Sequence, residues 1–203
     1  MIVQATTSLR QDWCETLPKL TGGIVGLREL ERRDAASLHE QLCTPEVTKF
    51  ISPPPDTVDG FERFISWTQE QRGQGRFACY GIVPHGMETA VGLVHIRRLD
   101  QEFRTGELGF ALGSAFWGTG LFAECAELLV DFAFDVVEVT RLEARVALPN
   151  GRGHSAMRKL GAVQEAVLRR SFVARGQCLD QALWSIVDTD RQDWKRLQRV
   201  YIH

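Results

Sequence analysis

The sequence predicts an α+β fold in which helices flank a mixed, mostly antiparallel central sheet. Three observations carry that expectation. Runs at 77–83 (FACYGIV), 90–96 (AVGLVHI) and 106–112 (GELGFAL) are rich in strand formers, and short turns make them antiparallel neighbours. The segment 120–136 places Leu121, Phe122, Cys125, Leu128, Leu129, Phe132 and Val136 on one stripe, the mark of an amphipathic helix. Two further runs, 166–174 and 178–187, close a hairpin around "RGQ".

The remaining elements follow in order. Residues 1–22 lack clear periodicity and end in the turn-formers "LPKLTGG", so they are expected to be an N-terminal extension. "IVGLREL" (24–30) reads as a strand and "RRDAASLHEQLC" (32–43) as a helix with Leu38 and Leu42 four apart. "SPPPD" (52–56) breaks the chain. A helix resumes over 57–72, with Thr57 as N-cap and Phe61, Phe64, Ile65 and Thr68 at helical spacing. After the long helix, whose Glu124, Glu127, Asp131 and Asp135 read as a solvated face, come a strand at 141–148 and a short helix within 149–161, ended by Gly161. The domain is expected over 23–190, with 191–203 as a C-terminal tail.

Composition excludes several classes. The 203 residues carry a formal net charge of −2, with 25% charged and 44% hydrophobic residues. That suits one soluble domain and gives no pull toward nucleic acid or anionic membrane. No apolar run approaches the roughly 20 residues that span a bilayer. The cysteines number five, with no CxxC, and the histidines show no paired spacing. A disulfide framework and a metal site are both disfavoured, and a reducing cytoplasm is the natural setting.

One stretch points to chemistry. "FWGTGLFAE" (116–124) sets two glycines before the long helix. A Walker A loop needs GxxxxGK[ST], which is absent. Residues 118–123 match the dinucleotide fingerprint GxGxxA literally. Its context is wrong: the next strand ends "VALPN" without an acid, and the preceding strand belongs to a meander. A third reading puts a pyrophosphate on the free N–H groups and positive dipole of the helix N-terminus. A plain tight turn capping the helix also fits these residues.

The combination of "GELGF", "WGTG" opening a helix, "RLEARV", "PN" and "KLGA" resembles the GNAT acetyltransferases. It is most similar to their branch containing the ribosomal-protein N-terminal acetyltransferases. The likeness covers about residues 24–190. It implies a GNAT-like fold and acetyl transfer from acetyl-CoA, as cosubstrate and without metal, to an amine: a protein N-terminus or a small molecule. By the resemblance, Phe110, Ala111 and Leu112 pair with the pantetheine arm. Trp117, Gly118, Thr119, Gly120, Leu121 and Phe122 match the pyrophosphate loop, and Asn150 matches the asparagine that contacts CoA. Two departures stand out. The last loop position is usually small, so Phe122 has to point away from the phosphates, towards the core. The positions that hold a serine or a tyrosine in relatives are Gly153 and Met157 here. Neither can protonate the leaving thiolate, and His154 and Ser155 are out of register.

Amide formation needs a neutral amine, and a lysine-like amine (pKa about 10.4) needs a base more than an α-amine (about 7.7–8.0). Glu107, on the strand expected to face acetyl-CoA, is the candidate base, acting through a water. His95 reads as a satisfied histidine and Cys125 as inert packing. Trp67 and Phe64 read as core packing, with one of them available to the acceptor pocket. Two rivals are a CoA-binding protein with little transferase activity and an NAD(P)-binding oxidoreductase. A homodimer is compatible with the sequence, which does not settle the oligomeric state.

Overall fold

The computed structural model describes residues 13–174 and 176–191. Residues 1–12 of the expected extension, and 192–203 of the expected tail, lie outside the described residues. The strands are β1 (Leu20–Thr21), β2 (Val25–Glu29), β3 (Phe77–Pro84), β4 (Gly92–Arg98), β5 (Thr105–Leu112), β6 (Arg141–Ala147), β7 (Val163–Ala174) and β8 (Gln177–Val187). The helices are α1 (Asp34–Leu42), α2 (Pro45–Thr48), α3 (Val58–Gly73), α4 (Leu121–Phe132) and α5 (Gly151–Lys159). The strands form one sheet in the order β1-β2-β3-β4-β5-β6-β8-β7.

Every neighbouring pair is antiparallel except β5–β6, which is parallel. That pair shapes the molecule. Its register is Thr105↔Arg141, Gly106↔Leu142 and Glu107↔Glu143, and there it stops. β5 stays on β4 as far as Leu112↔Gly92, and β6 stays on β8 as far as Ala147↔Gln181. Beyond Glu107 the sheet therefore splays into a wedge whose inner strand edges are unpaired with each other.

Two cores hold the sheet. One packs Leu38, Leu42, Phe61 and Ile65 of α1 and α3 against Phe77, Cys79, Leu93 and Ala111. The other packs Leu121, Cys125 and Leu129 of α4 and Met157 of α5 against Tyr80, Val94, Leu108, Leu142 and Trp184. Period-two alternation sends the Ala78, Tyr80 and Ile82 side chains of β3 to the α4 layer and its Phe77 and Cys79 to the other. Within the expected extension, Trp13 and Leu17 are buried, and Trp13 packs edge-on to Phe103 and Phe132.

Local signals set the element ends. Thr57 caps α3 by accepting from the Gly60 N–H at 3.1 Å. Buried Asp34 opens α1 with both oxygens on Arg28, at 2.7 and 2.8 Å, while accepting from the Glu31 and Ala90 N–H groups. The expected 120–136 helix is α4 plus a π-helical turn over Ala133–Val137. Three of its four carboxylates are engaged rather than merely solvated: Asp131 and Asp135 bind Arg191, and Glu124 accepts from the Gly23 and Ile24 N–H groups.

Candidate active site

The wedge contains two cavities. One, of about 400 Å³, is lined by Phe110, Ala111, Leu112, Trp117, Gly118, Gly120, Phe122 and Asn150, joined by Arg152, Ser155 and Lys159 of α5. The other, of about 900 Å³, is lined by Phe64, Phe77, His95, Arg97, Glu107, Arg145 and Phe172 among others. Phe110, Ala111, Asn150, Phe50 and Ile51 line both, so the cavities meet at the unpaired edge of β5.

The glycine loop has a backbone that could receive an anion. Gly118 (φ 78°) and Gly120 (φ 90°) are both left-handed, where side chains are strained. Gly120 caps α4 with no side-chain bond, which leaves N–H groups of the first turn open to a ligand. Thr119 turns its hydroxyl back to the Phe116 carbonyl at 2.7 Å, and the Leu121 side chain is buried in the core. These two can offer only backbone to a ligand in this arrangement. The Trp117 indole N–H donates to the Leu112 carbonyl at 2.9 Å, tying the loop to the end of β5. The Arg152 guanidinium lies 3.7 Å over the Trp117 ring.

Phe122 does not turn wholly into the core. It is partly buried and packs on Phe110, ring centroids 4.3 Å apart, forming cavity wall. Asn150 uses its side-chain oxygen to cap α5 on the Gly153 N–H at 3.0 Å, so its amide NH₂ is what remains for a ligand. Gly153 has a steric reason: a Cβ there would lie 2.7 Å from Val146 Cγ1. Met157 is buried in the core. His154 is held between the Trp184 indole N–H and the Leu148 carbonyl, and Ser155 sits exposed on the cavity rim.

On the other side, Glu107 is largely buried, its side chain 17% exposed. Arg97 places both Nε and Nη2 on Oε2. Oε1 is left facing Arg145, whose Nε is 4.0 Å away. His95 is not a satisfied histidine: its Nδ1 is buried without a hydrogen-bond partner. Burial pushes its pKa down to about 4, so the ring is neutral at neutral pH. Gly109 opposite makes room, since a Cβ there would strike the ring. Phe64 lines this cavity, whereas Trp67 is 44% exposed and stacks outside it on Phe64. Cys125 is fully buried, its thiol pushed up to about 12 by burial, and is no nucleophile.

The sequence missed Arg152 and Lys159, cations on the cofactor-sized cavity. Their signal was present: 152, 155, 156 and 159 share one helix face. The strand-direction ground against a dinucleotide site also fails, because β5-α4-β6 is a parallel crossover. The missing acid at the end of β6 still stands against it. Among the described residues, no group of three or more His, Cys, Asp or Glu could hold a metal ion. No helix among them is long and apolar enough to cross a membrane.

A splayed parallel pair, a glycine loop opening the crossover helix and a second cavity beyond a carboxylate thus lie side by side in the wedge. The acetyltransferase (GNAT) domain model matches residues 25–163. The uncharacterized N-acetyltransferase p20 of Bacillus licheniformis is 28% identical over 162 residues, covering 79% of this chain and 91% of that one. Spermidine N(1)-acetyltransferase of Escherichia coli K12 is 26% identical over 159 residues, covering 75% and 80%. RimJ of Mycobacterium smegmatis, solved in complex with CoA-disulfide, shares the fold with a TM-score of 0.77 at 22% identity, over 85% of this chain and 87% of that one. The chain belongs to the GNAT acetyltransferase family and is an acetyl-CoA-dependent N-acetyltransferase. The oxidoreductase reading falls with that assignment.

Proposed function

We propose that the protein acetylates a primary amine, either a protein N-terminal α-amine or a small-molecule amine, by direct attack in a ternary complex. The observation that carries this is the meeting of two cavities at the unpaired edge of β5. In this reading the backbone of Phe110, Ala111 and Leu112 pairs with the pantetheine arm as a substitute strand. The loop from Trp117 to Phe122 receives the pyrophosphate on those of its N–H groups that are not already bonded, as those of Trp117 to Ser114 and Leu121 to Thr119 are, with Arg152 and Lys159 as countercharges. The Asn150 amide donates to the same substrate.

The amine enters from the larger cavity. Its nitrogen attacks the thioester carbonyl carbon, the C–S bond breaks, and CoA leaves as the thiolate. Glu107 Oε1 accepts the amine proton through a water. A backbone N–H of β5 stabilises the developing oxyanion. Neither Gly153 nor Met157 can protonate the thiolate. A simple thiol has a pKa near 8.5, so the thiolate departs with little help.

The test is thiol release from acetyl-CoA across a panel of amines and N-terminal peptides, with Glu107→Gln beside the unaltered protein. Removal of the base is expected to lower kcat by about 10²-fold or more, with CoA affinity unchanged. An unchanged kcat removes Glu107 from the mechanism. CoA binding without turnover on any amine overturns the reading.

A further inference from the structure

The larger cavity carries an unequal set of charges. Arg97, Glu107 and Arg145 are its charged lining: two cations against one carboxylate. Arg97 is committed to Glu107 through two of its nitrogens. Arg145 makes only a loose ion pair with the same carboxylate: its Nε stands 4.0 Å from Glu107 Oε1, beyond hydrogen-bond length. No hydrogen bond engages its guanidinium among the described residues, and its side chain is 42% exposed. The neighbouring carboxylates do not supply it. Glu143 and Glu165 both bind Arg141, and that pairing, with the Ser185 hydroxyl, holds Glu165 down to about 2. His95 adds no charge at neutral pH. The lining also includes the apolar rings of Phe64, Phe77 and Phe172.

We propose that the acceptor is an amine that carries an apolar body and a carboxylate, and that Arg145 is the fork that binds this carboxylate. The inference rests on the acetyl-transfer reading above and names the class of its second substrate. A guanidinium with free donors matches a carboxylate bidentately. An amine delivered to Glu107 then has its own carboxylate within the reach of Arg145 and its apolar part against the phenylalanines. A polyamine brings extra positive charge to a lining that already has a surplus of it. The same chemistry arises from a free apolar amino acid or from a peptide N-terminus with an acidic second residue.

The experiment measures kcat/KM by thiol release with matched acceptors: phenylalanine against phenylalaninamide, peptides beginning Phe-Asp against Phe-Asn, and spermidine. The amide has the less basic amine and so the larger neutral fraction, which biases the comparison against the expected result. In the unaltered protein the carboxylate member of at least one pair is preferred by about tenfold or more, mainly through KM. The pair that shows the preference identifies the source of the carboxylate. Arg145→Gln collapses the preference and Arg145→Lys restores part of it. Equal rates within both pairs, spermidine as the best acceptor, or a preference that survives Arg145→Gln each overturns the inference. Turnover with no acceptor at all overturns the acetyl-transfer reading itself, and this inference with it.

Discussion

Alanine at Gly118 or Gly120 separates backbone strain from steric fit in the anion cradle. A Cβ at Gly118 meets nothing within 4 Å, and one at Gly120 meets only Ile24 Cδ1 at 3.8 Å, an ordinary contact. Space is therefore not the obstacle, and the φ values of 78° and 90° are. A left-handed non-glycine residue costs about 1–2 kcal/mol. If the loop keeps its shape, the free protein loses that stability and binds CoA as before. If it relaxes, stability is kept and CoA affinity falls by about 5- to 30-fold, the same energy seen in binding. Either way the CoA-bound state sits about 1–2 kcal/mol closer to the unfolded chain, and about twice that in the double variant. Urea denaturation with and without saturating CoA, plus calorimetric titration, reads both routes. Gly151→Ala is the control, because its Cβ also meets nothing within 4 Å and its φ is not left-handed. That variant is expected to gain about 0.4–1 kcal/mol. If all three variants behave alike in both assays, the left-handed glycines are not what shapes the cradle.

Two further expectations follow from groups outside the loop. Glu124→Gln keeps the size of the side chain but removes the charge that accepts from the Gly23 and Ile24 N–H groups, so urea denaturation should show a loss of about 1 kcal/mol; no loss would mean that this tie does not hold β1 and β2 to α4. His95 titrates near 4 in the folded protein against about 6.5 when unfolded, so the unfolded chain binds more protons between those values. Stability contributed by the neutral ring is fully present above about pH 6.5 and is lost as pH falls toward 4, at up to about 1.4 kcal/mol per pH unit. A His95→Gln variant whose pH–stability slope over that window matches the unaltered protein would contradict this.

Much of the fold was written locally. The β3–β4 hairpin announced itself through its turn, where Gly86 takes φ 88°. The α4 stripe and the Thr57 cap were visible for the same reason, since period and capping depend on residues within a few positions. What was hidden depended on distant partners. Trp13 and Leu17 show no period, yet both are buried, and Trp13 packs edge-on to Phe103 and Phe132, ninety or more positions away. The parallel β5–β6 register was invisible because a crossover helix conceals which strand edge it returns to. At the site, the glycine loop and Glu107 stood out by residue type. Arg145 did not, because an arginine on a strand becomes informative only when it is known how weakly its neighbours hold it. Gly153 looked like a missing catalytic group, and Val146 shows it to be a matter of room.

The short β5–β6 ladder has a mechanical meaning. On the Glu107 face the sheet is two leaves, β1 to β5 and β6 to β8, sewn together by a seam of three residue pairs. Under α4 and α5 the same leaves share a continuous core, which acts as the spine of the book. A substrate laid between the leaves as an extra strand lengthens the seam on the open side. On the proposed reading the thioester is then both reactant and stitching, joining the leaves as it is positioned to react.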